Sequence, residues 1–162
     1  MAGQDAWKPI AAALLTAIVV ATAGALITDL GPWYVNLKKP SWQPPDWLFG
    51  PAWTLIFGLD ALAAVLAWRG ARTPADERRI IILFAINLTL NILWSALFFR
   101  LHRPDWALGE VGFLLLSVAA LVLGLRPMSR LASALILPYL AWVGFASFLN
   151  WTIVQINPPF AS

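Results

Sequence analysis

Residues 47–68 read WLFGPAWTLIFGLDALAAVLAW, an apolar run broken by one acid, Asp60, and containing no base. At about 1.5 Å per helical residue, 22 residues reach about 33 Å, enough to cross a hydrocarbon core of about 30 Å. The run is continuous rather than alternating, so it describes a membrane-spanning helix and not a barrel strand. The whole chain agrees with it. Of 162 residues, 60% are hydrophobic and 12% charged, against about 45–50% and about 25% in a soluble domain.

Four further runs lie around this one. The first extends over about 9–30. It follows a single lysine, Lys8, and exceeds the roughly 7–15 residues of a signal peptide's apolar region, so it is expected to be a retained helix. The others cover about 79–100, 105–125 and 130–157, the last stopping at Asn157-Pro158-Pro159 because consecutive prolines cannot continue a helix. With 47–69, the expected fold is an all-α, polytopic membrane protein: one domain, 1–162, built as a bundle of five transmembrane helices. The two ends of the chain then face opposite sides of the bilayer. Lys8, Arg69, Arg72, Arg78, Arg79, Arg126 and Arg130 fall on the N-terminal side. Lys38, Lys39, Arg100 and Arg103 fall on the other. In a bacterial inner membrane this bias puts the N-terminus and the second loop in the cytoplasm. The net charge of +3 therefore reads as topology information, and no nucleic-acid partner is expected.

The first loop, 31–46, reads GPWYVNLKKPSWQPPD. Four prolines stiffen it. Its aromatics fit either an interfacial belt or a shaped lid over the bundle's open end, and composition leaves both open.

The helix faces carry the candidate site. Ala13, Ala17, Ala21 and Ala25 form a small-residue ridge on the first helix, suited to close packing in the bundle or against a second copy. In the third run Asn87, Asn91 and Ser95 recur at every fourth position, with Trp94 one turn beyond Asn91. Such a stripe must face the bundle interior, either as interhelical glue or as a cavity lining. In the fifth, Tyr139, Trp142, Ala146, Asn150 and Asn157 share one face. Aromatic rings beside a small alanine would make a hydrophobic slot. Trp53, Phe57 and Asp60 lie together on the second helix. A mid-span carboxyl is a functional-site candidate by default, with packing glue as its alternative. Glu110, near a helix start, can snorkel towards the interface and suits the positive end of the helix dipole, so it is expected to be structural.

Catalytic constellations are largely missing. Cysteine is absent, and the one histidine, His102, lies in a short loop. Phosphate-loop, dinucleotide, zinc-protease and nucleophile-elbow motifs are not found, and no metal site is expected. A tryptophan-lined apolar site suits a flat aromatic ligand held by stacking.

The order of these segments resembles the TspO/MBR family of tryptophan-rich sensory and translocator proteins (peripheral benzodiazepine receptors). The resemblance is carried by Trp33-Tyr34 through Leu37, Lys39-Pro40, Trp42, Pro44-Pro45 and Trp47, similar to the family's WYxxLxKPxWxPPxW loop. It continues through Pro51-Ala52-Trp53-Thr54, Asn91-Ile92-Leu93-Trp94 with Phe98-Phe99, and Pro138-Tyr139-Leu140-Ala141-Trp142 with Phe145-Ala146 and Leu149-Asn150. The resemblance implies a homodimeric five-helix bundle with a pocket under the first loop. Its ligands would be porphyrins such as protoporphyrin IX and isoquinoline-carboxamide or benzodiazepine drugs, with no obligatory cofactor. Matched residue by residue, Ala23, Leu26, Tyr34, Trp53, Trp94, Trp106, Trp142, Ala146 and Leu149 would line the pocket, joined by Asn87 and Asn91 from the face reading. Two departures stand out. Trp151 and Gln155 replace the tyrosine and base of the family's sterol segment, so cholesterol binding is not expected through it. Asp60 sits where relatives carry apolar or small residues.

Three functions follow as expectations. The first is a membrane tetrapyrrole-binding protein that senses, buffers or transports porphyrins in stress regulation. The second is an enzyme degrading porphyrin with light and oxygen, in which Trp53 and Trp142 would be redox partners. The third, and weakest, is a proton-coupled transporter using Asp60.

Overall fold

A computed structural model describes residues 11, 15, 18, 19, 22, 24 and 26–160. The protein is an all-α bundle of five helices, and among the described residues four helices are long and apolar enough to cross a membrane. The first helix, α1, is described at 11, 15, 18, 19, 22, 24, 26 and 27. The ridge of Ala13, Ala17, Ala21 and Ala25 lies outside the described residues, as does Ala23. A short helix follows in the first loop, α2 (Pro32–Asn36), then α3 (Asp46–Gly70) and α4 (Pro74–Ser95). The chain leaves α4 through a π turn, Ala96–Arg100, and continues as α5 (Pro104–Leu125), α6 (Arg130–Leu135) and α7 (Leu137–Ile156). Together α6 and α7 form the fifth span.

Local chemistry sets these boundaries. α4 begins at Pro74 rather than at residue 79. Thr73 accepts a hydrogen bond from the Asp76 N–H (3.2 Å), and Asp76 accepts one from the Thr73 N–H (3.0 Å). That reciprocal box, with proline in the first turn, starts a helix through a charged stretch that reads by composition as loop. The fifth span is interrupted at Ile136 because Pro138 has no N–H to donate to the preceding turn. Ser129 opens α6 by accepting from the Ala132 N–H (3.1 Å).

The core lies at the end of the bundle away from the first loop. Ala63 and Ala67 of α3, Val118, Leu121 and Leu125 of α5, and Ala132 and Ile136 of α6 and its C-cap are fully buried. Alanines one turn apart let α3 approach α6 closely, which is how helices gain contact where lipid supplies no hydrophobic drive. Gly70 shows how tight this end is. A Cβ there would collide with the Met128 carbonyl oxygen. Outward-facing residues such as Leu55, Leu62, Phe113, Leu116 and Leu123 are exposed, as a lipid-facing surface requires. A second, smaller cluster around Tyr34, Leu37, Phe98, Leu149 and Ile153 ties the first loop to α5, α7 and the π turn.

Candidate ligand-binding site

The first loop is folded down and pinned. Asn157, just past α7, holds the backbone of Lys38 on both sides. The Lys38 N–H donates to its Oδ1 (2.8 Å), and its Nδ2 donates to the Lys38 carbonyl (2.9 Å) and to that of Ile153 (2.8 Å). Further along, the Tyr34 hydroxyl donates to Asp46 Oδ1 at 2.8 Å. Burial first, then the hydrogen bond and charge of Asp46, push the Tyr34 hydroxyl above its usual pKa, with Gln43 acting weakly the other way. Trp33 stacks on His102 at 4.4 Å, and Trp42 stacks on Phe148 at 5.2 Å. The prolines restrict the loop, and these contacts fix where it lies.

Under the loop is a cavity of about 560 Å³. Its walls are aromatic: Phe49, Trp53 and Phe57 from α3, Trp94 from α4, Phe98 and Phe99 from the π turn, and Trp142 from α7. Gly24, Thr28 and Leu30 close the α1 side. Ala146 leaves room between Trp142 and Asn150, one turn away in each direction. The rings support one another edge to face or stacked. Trp53 meets Trp142 at 6.4 Å and 83°, and it stacks on Phe57 at 5.3 Å. Trp94 stacks on Phe98 at 5.2 Å. Such packing fixes ring orientation, so the walls are formed before any ligand arrives.

Polar groups hold this frame. The Trp94 indole N–H donates to Asn150 Oδ1 (3.1 Å), and Asn150 Nδ2 donates to the Pro104 carbonyl (2.9 Å). Asn91 Nδ2 donates to the Tyr139 hydroxyl (3.1 Å), joining α4 to α7 beneath Trp53. The π turn is the feature that sequence reading missed. Widening the helix by one residue, with the Leu101 N–H reaching the Ala96 carbonyl (2.9 Å), places Phe98 and Phe99 both against the cavity. Such turns concentrate at functional sites, and no local sequence signal marked this one.

The sequence candidates separate into two groups. Tyr34, Trp53, Asn91, Trp94, Trp142, Ala146 and Leu149 come together around the cavity. Asn87 does not line it. It is fully buried and donates to Ser117 on α5 (2.9 Å), as interhelical glue. Leu26 is 69% exposed and Trp106 53% exposed, and neither lines the cavity. Trp106 lies instead under the Arg103 guanidinium, 4.1 Å from its ring centroid, while Arg103 is ion-paired to Asp105. Ala23 lies outside the described residues. Asp60 is buried behind the aromatic wall, away from the cavity lining, with its Oδ1 lacking a hydrogen-bond partner. Glu110 does not snorkel. It shares the buried face of α5 with Ala107, Val111 and Leu114, and both its carboxyl oxygens are unpartnered. Residues that reading missed as cavity lining include Phe49, Gln43 and Asp46. Among the described residues no three histidine, aspartate or glutamate side chains gather as a metal site would require.

A five-helix integral membrane protein with a preformed, loop-covered aromatic cavity is thus the class that fold and site define. The sequence profile described as "TspO/MBR family" matches residues 11–156, and the chain belongs to that family. It is 43% identical over 146 residues to "Tryptophan-rich protein TspO" of Chlorobaculum tepidum, covering 87% of this chain and 90% of that one. It is 37% identical to the protein of the same name from Archaeoglobus fulgidus, over 91% of this chain and 96% of that one. To the human "Translocator protein" it is 32% identical, over 77% of this chain and 75% of that one.

Proposed function

We propose that this protein binds flat aromatic macrocycles of the protoporphyrin IX type in the cavity beneath its first loop and acts in porphyrin sensing, buffering or transport. The observation that carries the reading is the cavity itself: about 560 Å³, walled by Trp53, Trp94, Trp142 and four phenylalanines. This is within the roughly 300–1,000 Å³ of ligand pockets, and its lining is chiefly aromatic with a few polar groups. Stacking on rigid indoles suits a planar ligand. Isoquinoline-carboxamide and benzodiazepine-type drugs, smaller and also aromatic, would occupy part of the same space. Family membership supports the ligand class, and it supports a homodimer as the working assembly. The charge bias of the loops supports a cytoplasmic N-terminus and second loop in a bacterial inner membrane.

The test is titration with protoporphyrin IX, followed by tryptophan fluorescence, in wild type, Trp142→Ala and Ala146→Trp. Removing one wall is expected to weaken binding by about 5- to 150-fold, since base–aromatic stacking contacts of similar area are worth about 1–3 kcal/mol. Filling the slot with an indole should abolish it. Equal binding by all three proteins would sink the cavity assignment.

A further inference from the structure

The mouth of the cavity has a polarity that its aromatic walls do not account for. Tyr34 from α2, Gln43 from the turn before α3 and Asp46, the first residue of α3, meet there, and all three line the cavity. Their donors point at one another. The Tyr34 hydroxyl donates to Asp46 Oδ1 (2.8 Å). Gln43 Nε2 donates to the same oxygen (3.1 Å) and to the Tyr34 hydroxyl (3.3 Å). Two acceptors are left over: Gln43 Oε1, buried with no partner, and the second carboxyl oxygen of Asp46.

Charge points the same way. Among the described residues Asp46 is the one ionisable acid or base, apart from the phenol of Tyr34, in the cavity lining. The Lys39 ammonium lies over the Tyr34 ring, 3.9 Å from its centroid, and Lys39 is not part of the lining. The positive end of the α3 dipole, which would otherwise attract an anion, already faces Asp46 in its own first turn. A ligand edge entering this corner therefore meets the Asp46 carboxylate, which the Tyr34 hydroxyl and the Gln43 amide hold in place.

We propose that Asp46, positioned by Tyr34 and Gln43, sets the charge preference of the cavity, favouring flat aromatic ligands whose loop-side edge is neutral or carries an N–H or ammonium donor over the same ligands with a free carboxylate there. The inference rests on the aromatic-ligand reading above and specifies which chemical form of that ligand the site selects. Asp46 is exposed at the mouth, so a like charge brought against it disfavours binding modestly, whereas a donor there would pair with the carboxylate.

The experiment compares protoporphyrin IX with its dimethyl ester on the full chain in lipid nanodiscs, reading the ratio of the two dissociation constants in wild type, Asp46→Asn and Gln43→Glu. Asparagine keeps an acceptor for Tyr34 while removing the charge, and glutamate adds a charge at the same edge without touching α3. Partition of the two porphyrins into lipid cancels when the ratios are compared between proteins. The diacid-to-diester ratio is expected to fall about three-fold in Asp46→Asn and to rise by about as much in Gln43→Glu, the size of an exposed charge contact. A ratio that moves in neither variant overturns the inference while leaving the cavity as the binding site. Absence of saturable quenching by both porphyrins in wild type overturns the aromatic-ligand reading and this inference with it.

Discussion

Replacing Asn157 with alanine should release the first loop without unfolding the bundle. The Asn157 amide satisfies both backbone groups of Lys38, at 2.8 and 2.9 Å, across a separation of 119 residues. Its third bond, to the Ile153 carbonyl, belongs to the end of α7 and not to the loop. A net contribution of about 1 kcal/mol per hydrogen bond makes the clasp worth about 2 kcal/mol, or about 30-fold in the ratio of open to closed loop. Amide hydrogen exchange in nanodiscs reads this directly. The loop has its own reporters, because the N–H groups of Val35, Leu37, Lys38 and Gln43 are all hydrogen-bonded in the closed arrangement. Protection over 31–46 should fall about 30-fold in Asn157→Ala, with α5 unchanged. Unchanged loop protection would refute the clasp. A matching loss across α5 would show that Asn157 supports the whole bundle instead.

Two other predictions concern titratable groups. Because the Tyr34 phenol is held above its usual pKa in the closed loop, the closed loop keeps its proton where the open one loses it. Closure is therefore fully stabilised below pH of about 10 and weakens as pH rises past that value. Once the intrinsic base-catalysed rate is divided out, loop protection should fall above pH of about 10 in wild type, and Tyr34→Phe should abolish that fall. Asp60→Val should leave thermal stability unchanged or raise it, because the carboxyl it removes is buried with an unpartnered oxygen. A loss of more than about 2 kcal/mol in Asp60→Val would mean that the carboxyl makes a stabilising interaction.

Much of the bundle was legible because lipid demands long apolar runs, and the four long spans needed no tertiary information to be seen. The slot was legible for a similar reason. Trp142, Ala146 and Asn150 are one turn apart, and helical period alone puts them on one face. Charge misled at Thr73–Arg79, where the capping signal of threonine and Asp76 was present but lay under a density of charge that reads as loop. Position misled at Glu110: nearness to a helix start says nothing about which way the side chain turns, and α5 is buried on that face. Leu26 and Trp106, which only the resemblance places in the pocket, lie outside the cavity lining, because their faces of α1 and α5 are exposed. The Asn157 clasp and the Tyr34–Gln43–Asp46 mouth depend on contacts between distant segments or on loop geometry, which periodicity does not encode. The π turn depends on a backbone hydrogen-bond shift that leaves no residue signature.

The most direct test of the binding account is a protoporphyrin IX titration of the purified protein, first in the dark and then under light, with absorbance and tryptophan fluorescence recorded together. The account expects saturable quenching in the dark, a porphyrin band that stays intact in light, and loss of quenching in Ala146→Trp. Absence of saturable quenching would contradict it. Loss of the band in light, faster than with Trp142→Ala, would make the cavity a site of porphyrin degradation and not of binding alone.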